Sequence, residues 1–96
     1  MLVLITYDVN TQDKEGQKRL RKVAKKCVDH GVRVQNSVFE CNITPAQYAI
    51  LKHDLSDLID IKKDSLRFYH LGDAKKAKIE HIGAKVSLNV EAPLIF

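Results

Sequence analysis

The sequence predicts one α+β domain in which an antiparallel sheet carries both of its helices on one face. Three observations point to it. Short β-prone apolar runs occur at 2–7, 32–43 and 65–71. Two intervening stretches carry the three- and four-residue apolar spacing of amphipathic helices. The connections are short, so consecutive elements must pack against one another. The resulting order (strand, helix, strand, strand, helix, strand) is the ferredoxin-like βαββαβ arrangement.

Each element has its own local reason. The first strand, 2–7, is Leu2-Val3-Leu4-Ile5-Thr6-Tyr7, and it stops abruptly at Asp8. A polar loop, Val9-Asn10-Thr11-Gln12, leads into a helix over about 13–30. Its apolar stripe is Leu20, Val23, Ala24, Cys27 and Val28. Asp13 and Glu15 at its start and Lys25 and Lys26 toward its end suit the helix dipole, and Gly31 is read as its stop. From 32 to 43 the period changes to two: Val32, Val34 and Val38 share one parity, Arg33, Phe39 and Cys41 the other. Gln35-Asn36-Ser37 is polar enough to reverse the chain, which leaves two short strands or one long bent strand. Thr44-Pro45-Ala46-Gln47 is a helix start with a cap, a proline at the first position and the partner of a capping box. That helix presents Tyr48, Leu51, Leu55, Leu58 and Ile59 on one face and ends by about Lys62. A strand follows at 65–71, then a basic loop at 74–78, a further short strand at 79–82 and an apolar-tipped tail to Phe96. The whole chain reads as one domain, 1–96, with a core over 1–72 and a C-terminal strand and tail over 73–96.

The 96 residues are 45% apolar and 29% charged, an ordinary globular balance. No apolar stretch approaches the roughly 20 residues needed to span a bilayer. The apolar start lacks the basic lead of a signal peptide, so a cytoplasmic location is expected. Cys27 and Cys41 match no zinc spacing and are read as reduced, buried apolar residues. A sheet with helices on one face leaves the other face open. In a chain this short a second copy is the simplest cover, so a homodimer is expected.

The net charge of +4 is unevenly spread. Residues 1–33 hold eight basic and four acidic side chains, while 34–73 hold four basic and six acidic. Lys18, Arg19, Arg21, Lys22, Lys25 and Lys26 lie on the first helix away from its apolar stripe. Such a surface suits either a solvated helix face or a polyanion, which it would bind for affinity and register with little sequence preference.

Asp8 is the pivotal residue. It is either the end of a strand or an oxygen ligand for a hard divalent cation such as magnesium. Such cations need only one or two protein carboxylates besides substrate phosphate. One Asp in each of two protomers, meeting across a two-fold axis, would supply the pair. A metal held there activates water and stabilises charge on a scissile phosphate. Arg33, Ser37 and Phe39 form a second group if the strand segment is unbroken: Arg33 and Ser37 suit a phosphate, and Phe39 suits either stacking or core packing. Asp54, Asp57, Asp60 and Asp64 read as a solvated acidic face. His30, His53, His70 and His81 are scattered and read as structural or surface residues.

Taken together, Tyr7-Asp8 at the strand end, the basic Lys18-Arg19-Leu20-Arg21 and the run Gly31-Val32-Arg33-Val34-Gln35-Asn36-Ser37-Val38-Phe39-Glu40 resemble the Cas two family of small CRISPR-associated proteins. His81-Ile82-Gly83-Ala84-Lys85 and Pro93-Leu94-Ile95-Phe96 resemble its type I-C branch. The resemblance implies a ferredoxin-like homodimer whose last short strand, 79–82, crosses onto the partner's sheet. It implies a nuclease dependent on Mg2+ or Mn2+ held between the two Asp8 residues, acting on double-stranded DNA or single-stranded RNA. It assigns Tyr7, Asp8, Arg33 and Phe39 to catalysis and places Arg19 and Arg21 near activity-linked positions. With the basic surface this gives a nucleic-acid-binding set of Lys18, Arg19, Arg21, Lys22, Lys26, Arg33 and Ser37. It also implies a second role, as a DNA-binding scaffold that bridges dimers of the Cas one integrase during spacer acquisition, with the apolar tail available for docking. A generic ferredoxin-like RNA-binding module is disfavoured, since no aromatic pairs lie on the central strands.

Overall fold

The computed structural model describes residues 1–71 and 78–84; residues 74–77 of the expected basic loop and the tail beyond residue 84 lie outside them, while Lys78, expected in the loop, opens the last strand. The elements are β1 (Leu2–Asp8), α1 (Lys14–Val28), β2 (Gly31–Gln35), β3 (Val38–Asn42), α2 (Pro45–Leu58), β4 (Ser65–His70) and β5 (Lys78–Gly83). One sheet contains all five strands in the order β2-β3-β1-β4-β5, and every neighbouring pair is antiparallel. The first four strands have the ferredoxin-like order, and β1 is central.

Alternation along β1 divides the molecule into two faces. Val3, Ile5 and Tyr7 are buried among the helices, while Leu2, Leu4 and Thr6 are half-buried and Asp8 is exposed on the other face. Register carries this parity outward. Ile5 lies between Phe39 on β3 and Phe68 on β4, and Tyr7 pairs with Leu66. Leu20, Val23 and Cys27 of α1 and Leu51 and Leu55 of α2 complete the core. Each buried leucine or valine among them contributes about 1.5–3 kcal/mol by leaving water.

The helix ends follow local chemistry. Asp13 caps α1 by accepting from the Glu15 N–H at 3.0 Å. Thr44 and Gln47 form the expected reciprocal capping box, at 2.9 and 3.1 Å, with Pro45 just inside α2. Gly31 does not stop α1, which has already ended at Val28. It opens β2 opposite Cys41, where a Cβ would stand 2.1 Å from the Glu40 carbonyl oxygen. Its lack of a side chain therefore serves strand approach rather than a left-handed cap.

The 32–43 segment is a hairpin rather than one bent strand. β2 and β3 meet at Asn36-Ser37, and the register shifts between Arg33 and Gln35. Both cysteines are buried and unbridged, with the Cys41 thiol directed at the Cys27 carbonyl at 3.6 Å.

The last strand forms one edge of this chain's sheet. Within this chain β5 pairs with β4 from Ser65 opposite Gly83 to His70 opposite Lys78. A polar cluster fastens it to α2. The Tyr48 hydroxyl donates to Glu80, Lys52 Nζ lies 3.1 Å from the same carboxylate oxygen, and His70 Nε2 is 3.2 Å from the Tyr48 hydroxyl. Burial and the Glu80 carboxylate push the Tyr48 hydroxyl above the usual phenol range. No helix among the described residues is long and apolar enough to cross a membrane.

Candidate active site at the end of the first strand

Asp8 is the last residue of the central strand, exposed on the face that carries no helix. A cleft of about 390 Å³ opens beside it, lined by Thr6, Tyr7, Asp8, Val9, Thr11, Leu20, Asn36 and Ser37. The central position of β1 brings the β2–β3 turn to this cleft. The turn is tied to the strand by the Tyr7 N–H, which donates to the Ser37 carbonyl at 2.9 Å.

Arg33 braces that turn from the side. Its Nε and Nη2 donate to the Asn36 carbonyl at 2.8 and 2.5 Å, and Nη2 is 3.3 Å from Asn36 Oδ1. The guanidinium also lies 5.6 Å from the centre of the Phe39 ring, its cross-strand partner. Phe39 itself has no exposed surface. It belongs to the core and offers no face on which a base could stack, so its place in the site is beneath Arg33. Ser37, half-buried, lines the cleft.

Tyr7 points the other way, and its side chain is buried with only 2% exposure. Its hydroxyl donates to Asp64 Oδ2. Arg19 grips the same carboxylate in a two-pronged contact, Nε to Oδ2 at 2.8 Å and Nη2 to Oδ1 at 3.1 Å. The Asp60 N–H adds a third donor to Oδ2 at 3.0 Å. Burial raises the Asp64 carboxyl, but the hydrogen bonds from Arg19, Tyr7 and Asp60 outweigh it and hold the group below the usual range. Burial pushes the Tyr7 hydroxyl well up, and the hydrogen bond to Asp64 pushes it further. Tyr7 is thus a neutral, enclosed donor at neutral pH. Arg19 is committed to Asp64 rather than displayed toward a phosphate.

Asp64 is the residue that sequence reasoning misplaced. The four aspartates Asp54, Asp57, Asp60 and Asp64 resemble one helix face by spacing, but α2 ends at Leu58. Asp60 and Asp64 sit in the following turn, where helical periodicity no longer applies, and Asp64 has no exposure at all. The available signal was its place immediately before a β-rich run.

The basic helix separates into two groups. Lys18, Arg21, Lys22 and Lys25 are exposed and fall at i, i+3, i+4 and i+7, a stripe opposite the buried one. Lys26, on the flank, lies 3.3 Å from Asp54 of α2.

Among the described residues no three His, Cys, Asp or Glu side chains converge on a common point. Among the described residues that line the cleft, Asp8 is the one carboxylate, and it is exposed. Its oxygens suit a hard cation, and one such residue per chain fits a site completed by a second chain and by substrate phosphate.

The described strand order and helix placement define a ferredoxin-like α+β protein, as the solved relatives confirm. The chain is similar to the crystal structure of Streptococcus pyogenes Cas2 at pH 6.5, with a TM-score of 0.74 and 64% identity over 75% of this chain and 87% of that one. A hypothetical protein from Thermus thermophilus matches with a TM-score of 0.66 and 30% identity, covering 75% and 82%. The family model described as CRISPR associated protein Cas2 matches residues 1–79. A curated relative from Halalkalibacterium halodurans, named CRISPR-associated endonuclease Cas2, is 62% identical over the full length of both chains. One from Nitratidesulfovibrio vulgaris, named CRISPR-associated endoribonuclease Cas2, is 57% identical and covers 99% of this chain and 93% of its own. The chain belongs to the CRISPR-associated Cas2 family.

Proposed function

We propose that this protein is a metal-dependent endonuclease that cleaves phosphodiester bonds of double-stranded DNA or single-stranded RNA as a homodimer. The observation that carries the reading is the placement of Asp8: an exposed carboxylate at the mouth of a polar cleft, on the sheet face that carries no helix. The names of the relatives support nuclease chemistry and divide between endonuclease and endoribonuclease.

Asp8 from each protomer would hold Mg2+ or Mn2+, and the bound ion would supply an activated water and charge neutralisation at the scissile phosphate. This chain's residues do the rest. Ser37 and Asn36 form the wall against which the substrate backbone rests. Arg33 stiffens that wall from behind. The Tyr7–Asp64–Arg19 cluster fixes the end of β1 so that Asp8 is presented at a constant angle. Catalytic contact by Tyr7 or Phe39 themselves has no support in their burial.

The test is cleavage of both substrates by wild type and Asp8→Ala, with and without a chelator, alongside circular dichroism and sedimentation. Loss of cleavage in a folded variant of unchanged mass is expected. Cleavage that survives in a clean Asp8→Ala preparation rejects the reading.

A second reading has its own support in the exposed stripe of Lys18, Arg21, Lys22 and Lys25. It is a DNA-binding scaffold acting with the Cas one integrase in spacer acquisition. Four cations along one helix face suit a duplex backbone and need no chemistry at Asp8. Joint charge reversal at Arg21, Lys22 and Lys25 should then impair acquisition, whereas Asp8→Ala should not. Arg19 is left out of that set because a carboxylate there would face Asp64.

A further inference from the structure

The open sheet face beside Asp8 changes character along its length. Three rows cross β1, β4 and β5: Leu4, Tyr69 and Ile79; then Thr6, Arg67 and His81; then Asp8, Ser65 and Gly83. The first row is largely apolar. The two rows nearest the strand end are polar, and Arg67 stands in the middle of them.

Arg67 is half-buried, and among the described residues its guanidinium makes no hydrogen bond or ion pair. That is uncommon, because a charge partly withdrawn from water is normally paired. Elsewhere in this chain the rule holds: Arg19 is taken by Asp64 and Arg33 by the Asn36 turn. Arg67 is a diagonal neighbour of Asp8 across the β1–β4 pair, a relation that places side-chain origins about 7–8 Å apart. An extended arginine reaches across that gap to an anion held in front of Asp8. On its other side His81 is held by Ser65, with Oγ and Nε2 2.8 Å apart, which gives the row a fixed polar wall.

We propose that Arg67 is the phosphate-binding residue of the Asp8 site, a two-pronged donor to the non-bridging oxygens of a backbone phosphodiester. The inference rests on the proposed phosphodiester chemistry at Asp8 and adds the residue that seats the substrate there. It differs from the basic stripe of α1 in place and in role. The stripe lies on the helical side of the molecule, whereas Arg67 lies on the sheet side beside the candidate site.

The experiment measures binding without metal, by fluorescence anisotropy of a labelled duplex and a labelled single-stranded RNA in EDTA across a salt series. Wild type, Arg67→Gln and Arg67→Lys are compared, with sedimentation mass recorded for each. Arg67→Gln should bind about tenfold more weakly, and its duplex log K against log salt slope should flatten by about one. Arg67→Lys should keep the slope and recover part of the affinity. In cleavage, KM should rise more than kcat falls. Unchanged affinity and slope in Arg67→Gln would overturn the proposal. So would a fall in its mass to the monomer, which would make Arg67 an interface residue. Should Arg67→Gln not fold, the split between KM and kcat in Arg67→Lys decides. Asp8→Ala, run beside them, tests the underlying reading separately: its cleavage bears on the chemistry, and its metal-free binding is expected to stay.

Discussion

Tyr7 and Asp8 are adjacent in the chain, yet the pleat sends them into opposite environments. Asp8 stands in solvent at the end of the open face. Tyr7 lies under the sheet, enclosed with Asp64 and Arg19. Both belong to one run at the strand end, and sequence reasoning gave both a catalytic role. The fold separates them into a residue that can meet a substrate and a residue that holds the scaffold. Proximity in sequence is thus a poor guide to shared work on a strand, where the period of two decides.

The comparison predicts that damage to the two sides has different signatures. The largest effect on stability belongs to the enclosed side. Asp64→Ala leaves the Arg19 guanidinium and the Tyr7 hydroxyl without their common partner and should cost about 3–5 kcal/mol in urea unfolding. If it costs under about 1 kcal/mol, the cluster does not hold the strand end. Phe39→Ala should fall in a similar range, about 3–5 kcal/mol, by emptying the core beneath Arg33.

A pH series sharpens the contrast. The Asp64 carboxyl is held below its usual range in the folded protein. Its contribution is therefore fully present above the unfolded carboxylate value of about 3.9 and is lost as pH falls through the lower folded value. The loss of stability on acidification below about pH 4 should be smaller in Asp64→Asn than in wild type. An identical acid limb in the two proteins would count against the cluster as its source. Tyr7→Phe should cost less, about 1–2 kcal/mol, since it removes one of several donors to Asp64. It should also retain measurable cleavage. Complete loss of cleavage in a well-folded Tyr7→Phe would return the hydroxyl to the chemistry. Asp8→Ala closes the series with the smallest shift in thermal midpoint, because the side chain is exposed and lies outside the core.

Much of this architecture could be read directly because its causes are local. The stripe of α1 and the Thr44–Gln47 capping box depend on residues three or four apart, and both stand where the pattern placed them, except that Val28 at the end of the stripe is exposed. The strand-ending position of Asp8 was legible for the same reason. What escaped depends on distant partners. Asp64 took its meaning from Tyr7 and Arg19, far away in the chain, and Arg19 was counted as a free cation because its partner was out of view. The hairpin turn took Ser37 out of the simple alternation, while Arg33 and Phe39 stayed together as cross-strand partners. Gly31 was read as a helix stop, and only the closeness of β3 shows that strand approach is what it serves.

The carboxylate of Asp64 also carries a consequence for the order of folding. Its bond to Tyr7 spans 57 positions and its bond to Arg19 spans 45. Contacts of such separation form only after long loops have closed, so they come late. Early structure in α1 or in the β2–β3 hairpin gains nothing from them. The strand end acquires its final shape when β4 docks beside β1 and delivers Asp64 from the turn before it. A chain still emerging, or one nicked before that turn, would own an Asp8 without a site.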